Sequence, residues 1–225
     1  MGTNETISED YHDYVFKDGR LVGEFDTMYQ VSKEIPWHQD RQDEWPDIRI
    51  ALEMIRDLGP FDRIHDYGCG LGYYLDILRR QVGAKSCEAS GSDISPTACT
   101  KAAALFPYAR FFVDDLTRVS QGRIGRPSAS GRGLASIRGT LWYVFPHLEE
   151  VVSNLAERLG RADVLLVSQN FPPLDSNFIG KDVIPDPASL LRRFSAHLRC
   201  RRWLWYEDRE AGKNDNWFIG LFAAK

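Results

Sequence analysis

Residues 63–80 read RIHDYGCGLGYYLDILRR. Apolar Ile64 leads to a carboxylate at Asp66, glycines follow at 68, 70 and 72, and Leu75, Leu78 and Val82 then recur at helical spacing. The pattern predicts a strand, a glycine turn and a helix. Glycine permits both the tight turn and close approach of a ligand to the backbone. A dinucleotide site would want Gly-x-Gly-x-x-Gly, so that a pyrophosphate reaches the helix N-terminus. Here the spacing is Gly68-x-Gly70-x-Gly72, and Tyr73 and Tyr74 crowd the place of the third dinucleotide glycine. Asp66 would repel a pyrophosphate but attract an ammonium group.

Outward from this stretch, strands and helices alternate. Upstream, Pro46 opens a helix through Ile48, Leu52, Ile55 and Leu58, stopped by Gly59-Pro60. Downstream, a strand near Cys87–Gly91 runs to Asp93, and Ser95-Pro96 caps the next helix. Further strands are expected in ARFFVDDL (109–116), LASIRG (134–139) and ADVLLVS (162–168). Helices are expected in PHLEEVVSNLAERL (146–159) and PASLLRRFSAHL (187–198), and two final strands are joined by a polar turn. This order predicts an α/β, Rossmann-like, doubly wound and mostly parallel seven-stranded sheet, helices on both faces, with a C-terminal antiparallel hairpin. Residues 1–46 read as a lead-in or lid segment, and residues 47–225 as the domain proper.

Ligands of such sheets lie outside the carboxyl ends of the strands. That rule assigns one rim to Gly68–Gly72, Asp93, Asp114 and Asp115, Arg138 and Gly139, Gln169 and Asn170, and the expected turn from Asn214 to Trp217.

With 225 residues, 43% of them apolar and 27% charged, the chain suits one globular domain. No run of 18 apolar residues spans a membrane, and the opening MGTNETISEDYHDY lacks an export signal. Cys69, Cys87, Cys99 and Cys200 are scattered without a Cys-x-x-Cys pair, the usage expected of reduced thiols in a cytoplasmic protein. A net charge of −4 argues against generic nucleic-acid binding.

HDYGCGLG (65–72) resembles the first motif of class I S-adenosylmethionine-dependent methyltransferases, an acid-x-Gly-x-Gly-x-Gly at the end of the first strand. Asp93 follows Gly68 by 25 residues, where that family's acid holds the ribose hydroxyls. FVDDLT (112–117) resembles the third motif, whose acid and next amide meet the adenine; this implies Asp115 and Leu116, with Asp114 as the competing register. The resemblance implies a cofactor, S-adenosylmethionine, held by Asp66, Gly68, Gly70, Gly72, Asp93, Ile94, Asp115 and Leu116, with Trp37 and Arg138 beside it.

The acceptor is less legible. PWHQ (36–39), RGTLWYVFP (138–146), SQNFPPLDS (168–176) and NDNWFIGL (214–221) look like enzymes that tailor sugars, saccharides or natural products. A small polar acceptor and metal-independent O-methylation are expected. N-methylation of an amino sugar, or a non-catalytic cofactor-binding module, are the competing readings. A general base has two candidates, His38 in the lead-in and Tyr143 beyond the fourth strand. His65 reads as structural. Five arginines lie between Thr117 and Gly139 and five between Arg192 and Arg202. An anionic acceptor would account for Arg138, with Arg126 or Arg132 as helpers; a solvated loop and helix end is the bland alternative. Arg138, Gln169, Asn170, Asn214 and Trp217 are the expected substrate contacts. No carboxylate follows the fourth or fifth strand to hold a metal.

Overall fold

The structure is a computed structural model that describes residue 8 and residues 10–17, 20–119, 131–210 and 215–225. In chain order the strands and α-helices are β1 (Phe16–Lys17), β2 (Arg20–Leu21), α1 (Phe25–Val31), α2 (Pro46–Ile55), β3 (Phe61–Tyr67), α3 (Tyr73–Val82) and β4 (Gly83–Asp93). There follow α4 (Pro96–Leu105), β5 (Arg110–Val113), β6 (Gly133–Arg138), α5 (Leu148–Arg158), β7 (Val164–Phe171), α6 (Pro187–His197), β8 (Leu198–Asp208) and β9 (Asp215–Ala224).

Seven strands form one sheet in the order β5-β4-β3-β6-β7-β9-β8. The first five are parallel, and β9 runs antiparallel to both β7 and β8. The expected fold class is therefore the observed one. Strand order reverses at β3, which has β4 on one side and β6 on the other. The glycine turn thus leaves the sheet at its switch point, where the crevice for a ligand opens.

Residues alternate between two cores, one on each face. Ile64, Leu134 and Leu166 pack with Ile48 of α2 and Leu75 and Leu78 of α3. Ile137, Leu165 and Val167 pack with Val151 and Leu155 of α5 and Leu190 and Phe194 of α6. Burial on both faces explains why β6 and β7 read as near-continuous apolar runs.

Local signals set the helix ends. Ser95 accepts the Ala98 amide (3.0 Å) with Pro96 in the first turn, and Asp186 with Ser189 closes a capping box before Pro187. Two boundaries differ from expectation. β4 begins at Gly83, directly after α3: Gly83 pairs with Phe61, and the register then shifts to place Arg63 opposite Glu88. Trp217, expected in a turn, lies within β9 opposite Asn170.

The segment before α2 lies over the rim. Asp26 of α1 accepts the Ser95 hydroxyl (2.7 Å) and the Thr97 amide (2.8 Å) at the start of α4. Met28 and Tyr29 are buried with Leu71 and Ala98, and Trp37 and Tyr143 pack against that group.

Candidate active site

Gly68, Gly70 and Gly72 all adopt left-handed backbone, with φ of 67°, 53° and 86°, a region costly for other residues. A Cβ at Gly68 would lie 2.4 Å from the Thr140 hydroxyl, and one at Gly70 2.5 Å from the Gln39 amide. At Gly72 it would meet the Phe111 ring at 2.9 Å. The glycines therefore admit protein side chains, and the turn is a packed junction as well as a cavity edge.

Two carboxylates fix that junction. Asp93 accepts the Gly70 amide (2.9 Å) and the Ser95 amide (3.0 Å). Burial raises its pKa, and those amides pull it back. A carboxylate offers about four lone-pair sites, so Asp93 keeps acceptor capacity towards the cavity it lines. Asp66 is 3% exposed and accepts the Ser136 hydroxyl at 2.6 Å. Burial pushes its carboxyl up to about 7, against the opposing pull of Ser136 and Arg138.

These groups border a cavity of about 450 Å³ reaching from Asp114 and Asp115 to Asn170 and Trp217. At its β5 end, Arg158 binds Asp114 at 2.5 Å with both side chains largely buried. Asp115 accepts the Thr117 amide (3.0 Å) and hydroxyl (2.7 Å) and meets exposed Arg118 at 3.1 Å. Asp114 is thus held behind the rim while Asp115 is the more open carboxylate. Exposed Ile94 and buried Leu116 line the slot between them and Asp93; Asn154 fixes Leu116 by donating to its carbonyl (2.9 Å).

The lead-in supplies the roof. Pro36 leaves Ile35 extended, but Trp37 and His38 then both take left-handed backbone, with φ of 53° and 49°. Such conformations cost about 1–3 kcal/mol each and persist where the surroundings impose them. Gln42 donates to the Trp37 carbonyl (2.7 Å). Next to the pair, Gln39 accepts the Leu71 amide (2.9 Å) and donates to the Tyr29 hydroxyl (3.2 Å). The bend is therefore tied to the glycine turn itself. Trp37 and exposed His38 both border the cavity.

Tyr143 also borders it, packed by Phe25 at 5.1 Å and Trp37 at 5.9 Å between ring centres. Burial, with Tyr11 nearby, raises its pKa well above the ordinary phenol value, although hydrogen bonding with Trp37 opposes the shift. A phenol held protonated is a poor base. Its observed work is to seat the roof.

Beyond β6 and β7 the expected acceptor contacts are mostly engaged elsewhere. Arg138 donates to both oxygens of fully buried Asp47 (2.7 and 3.1 Å) and to Gln42 (2.6 Å), and lies over the Trp217 ring at 4.8 Å. Asp47 occupies the first turn of α2, where a carboxylate is favoured. The fork expected to bind an anion therefore anchors α2 to β6. Arg132 points to the opposite end of the sheet, bonded to the Leu58 carbonyl, and Arg126 lies outside the described residues. In the second arginine group, Arg202 pairs with Asp57 and Arg193 with Glu149. Gln169 is fully buried, accepts the Leu141 amide (3.1 Å) and does not line the cavity. Asn170 and Trp217 do line it; Asn214 lies outside the described residues.

His65 bonds Ser90 (2.8 Å) and Ser92 (3.1 Å), and burial lowers its pKa to about 3, so it stays a neutral structural residue. No three His, Cys, Asp or Glu side chains gather as a metal site among the described residues, and none of their helices is long and apolar enough to cross a membrane.

Sequence reasoning missed Tyr29, Gln42 and Asp47, and mentioned Gln39 only as a neighbour of His38. For Gln39, Gln42 and Asp47 the one signal is the density of amide and carboxylate groups in QDRQDEWPD (39–47), beside a segment too irregular to align with the rim; Tyr29 lies outside that stretch.

No protein-family profile matches the sequence, and no curated protein matches it either. Solved structures do resemble it. The N-methyltransferase NodS from Bradyrhizobium japonicum WM9, bound to S-adenosyl-L-homocysteine, superposes with a TM-score of 0.63 at 14% identity, over 85% of this chain and 92% of NodS. Human N-acetylserotonin methyltransferase in complex with S-adenosylmethionine gives 0.60 at 14% identity, over 89% of this chain and 58% of the human one. The cyclase SpnF gives 0.60 at 12% identity, over 79% and 80%. The chain thus carries the seven-stranded fold of the S-adenosylmethionine-dependent methyltransferases.

Proposed function

We propose that the protein transfers a methyl group from S-adenosylmethionine to a small acceptor. The observation that carries this reading is the pair of buried carboxylates, Asp66 and Asp93, at the switch point and bordering one cavity. Burying two carboxylates without a cation is costly. A ligand with an ammonium group and neighbouring hydroxyls would use both. The donor set fits the cofactor: Asp66 for the ammonium, Asp93 for the ribose hydroxyls, Ile94 and Leu116 for the faces of the base, and Asp115 for its amino group. The bound cofactor supplies an electrophilic methyl on a sulfonium.

The chain's own residues then position and protect. Trp37 and Tyr143 close the roof and exclude water, so that electrostatic attraction within the cavity is less screened. Alignment of two reactants can supply about 7–11 kcal/mol of a barrier. For a hydroxyl acceptor, His38, exposed at the edge of the cavity, takes the proton. Methylation at oxygen is the reading adopted. NodS, an N-methyltransferase, has the same fold, and an amine acceptor that enters as ammonium would give its proton to the same group before its lone pair attacks the methyl. SpnF marks the limit of fold as a guide to chemistry.

The test is incubation of the protein with cell extract and methyl-labelled S-adenosylmethionine, read by mass spectrometry. A labelled small molecule that depends on the protein is expected. Cofactor binding without any labelled product would favour a non-catalytic module.

A further inference from the structure

We infer that the β7 end of the cavity is a subsite for an uncharged, ring-bearing acceptor, with Asn170 as its fixed hydrogen-bond donor, and that it disfavours anions. This rests on the methyl-transfer reading for the word acceptor, but the subsite is argued from its own atoms.

Orientation comes first. The Trp142 indole N–H donates to the Asn170 side-chain oxygen (3.2 Å), and the Gln169 amide N–H donates to the same oxygen (3.0 Å). The same two N–H groups also donate to the Asn170 backbone carbonyl (3.0 and 3.1 Å); an NH2 group facing two donors would be repelled, so the side-chain atom beside them is assigned as the amide oxygen. The Asn170 NH2 group is thereby turned away from both, and no described residue accepts from it. Gln169 cannot swing to follow a ligand, because its own oxygen holds the Leu141 amide (3.1 Å). Asn170 therefore presents a donor of set direction on an exposed part of the cavity wall. Its partner on a ligand is a hydroxyl, ether or carbonyl oxygen.

Charge comes second. Asp66, Asp93, Asp114 and Asp115 line the cavity, against one lining arginine or lysine among the described residues, Arg138. Asp47 and Gln42 occupy that guanidinium. A carboxylate or phosphate entering here would meet no open cationic fork. The walls beside Asn170 are Trp142, which donates to it, and Trp217, its partner across the sheet, which suit the face of an aromatic or sugar ring.

The experiment uses three probes that share one ring: indole-3-ethanol, tryptamine and indole-3-acetate. Their affinities are measured by calorimetry on the full chain, with and without S-adenosylhomocysteine, and on Asn170→Asp. That isosteric change keeps an oxygen for Trp142 and Gln169 but replaces the donor with a charge. Wild type is expected to bind indole-3-ethanol at least tenfold more tightly than indole-3-acetate. Asn170→Asp should weaken indole-3-ethanol about tenfold, strengthen tryptamine, and leave S-adenosylhomocysteine affinity unchanged. The proposal is overturned by equal or tighter binding of indole-3-acetate, by no binding of any probe, or by an unaltered ranking in the variant. If the ranking holds but S-adenosylhomocysteine does not bind, the subsite stands and the methyl-transfer reading falls.

Discussion

At the ends of β3 and β4, and just beyond β5, the carboxylates of Asp66, Asp93 and Asp115 border the cavity and retain acceptor capacity. At the ends of β6 and β7, Arg138 is engaged by Asp47, and Gln169 by the Leu141 amide. The same strand-end rule led to both halves of the rim. It gives the place of a residue, not the partner of its polar atoms. In the first half Asp93 is held by backbone amides two or three residues beyond β4 and β3, Asp115 by Thr117 two residues on, and Asp66 by the Ser136 hydroxyl of the neighbouring strand. In the second, Gln169 is held by the Leu141 amide just beyond β6, and Arg138 by Asp47 of α2 and Gln42 of the lead-in, partners that no local pattern announces.

The contrast can be broken first at the roof. If His38 is the proton acceptor, His38→Ala should lower the maximal rate on a hydroxyl acceptor by about 10²–10⁴-fold, with cofactor affinity within a few fold. A wild-type rate would remove it from the chemistry. Tyr143→Phe keeps the ring packing and loses a phenol already held protonated. It should change the rate by less than about threefold, and a loss equal to that of His38→Ala would transfer the role.

Arg138→Ala tests whether the second half is structural. It would take the guanidinium away from the carboxylate of Asp47, which is fully buried. Breaking a buried pair from one side costs about 3–5 kcal/mol, visible as a lower denaturant midpoint. Asp47→Asn/Arg138→Met should recover much of that loss. A stable Arg138→Ala protein that fails only in turnover would return Arg138 to the acceptor.

Asp66 sharpens the comparison through pH. Its folded pKa of about 7 lies above the ordinary value of 3.8. The folded state therefore binds this proton more tightly than the unfolded one. Its contribution to stability is complete below about pH 4 and is lost as pH rises through about 7. An ammonium ligand needs the ionised form, so affinity should run the opposite way and fall about eightfold from pH 7.5 to 6. Asp66→Asn should abolish both slopes. Parallel slopes would contradict the assignment.

Much of this was legible in the sequence. The glycine spacing at 68–72, the Ser95-Pro96 cap and the two acidic strand ends were enough for the sheet and its switch point, because each is short-range chemistry. The double left-handed bend at Trp37 and His38 was not legible, since neither residue type favours that backbone and Gln39 and Gln42 tie the bend down. Nor was the pairing of Arg138 with Asp47, 91 residues apart in the chain. Arginine at a strand end reads as a ligand contact until its partner is seen.

The central claim is that Asp93 and Asp66 make this rim a binding site for S-adenosylmethionine. Calorimetric titration of wild type and Asp93→Ala with S-adenosylhomocysteine tests it most directly. Hydrogen bonds to a charged acceptor contribute about 1.5–3 kcal/mol each. The account predicts one site per chain in the wild type and an affinity at least tenfold weaker in the variant, with circular dichroism showing the variant folded. No binding to the wild type, or equal affinity for a folded Asp93→Ala, would contradict it.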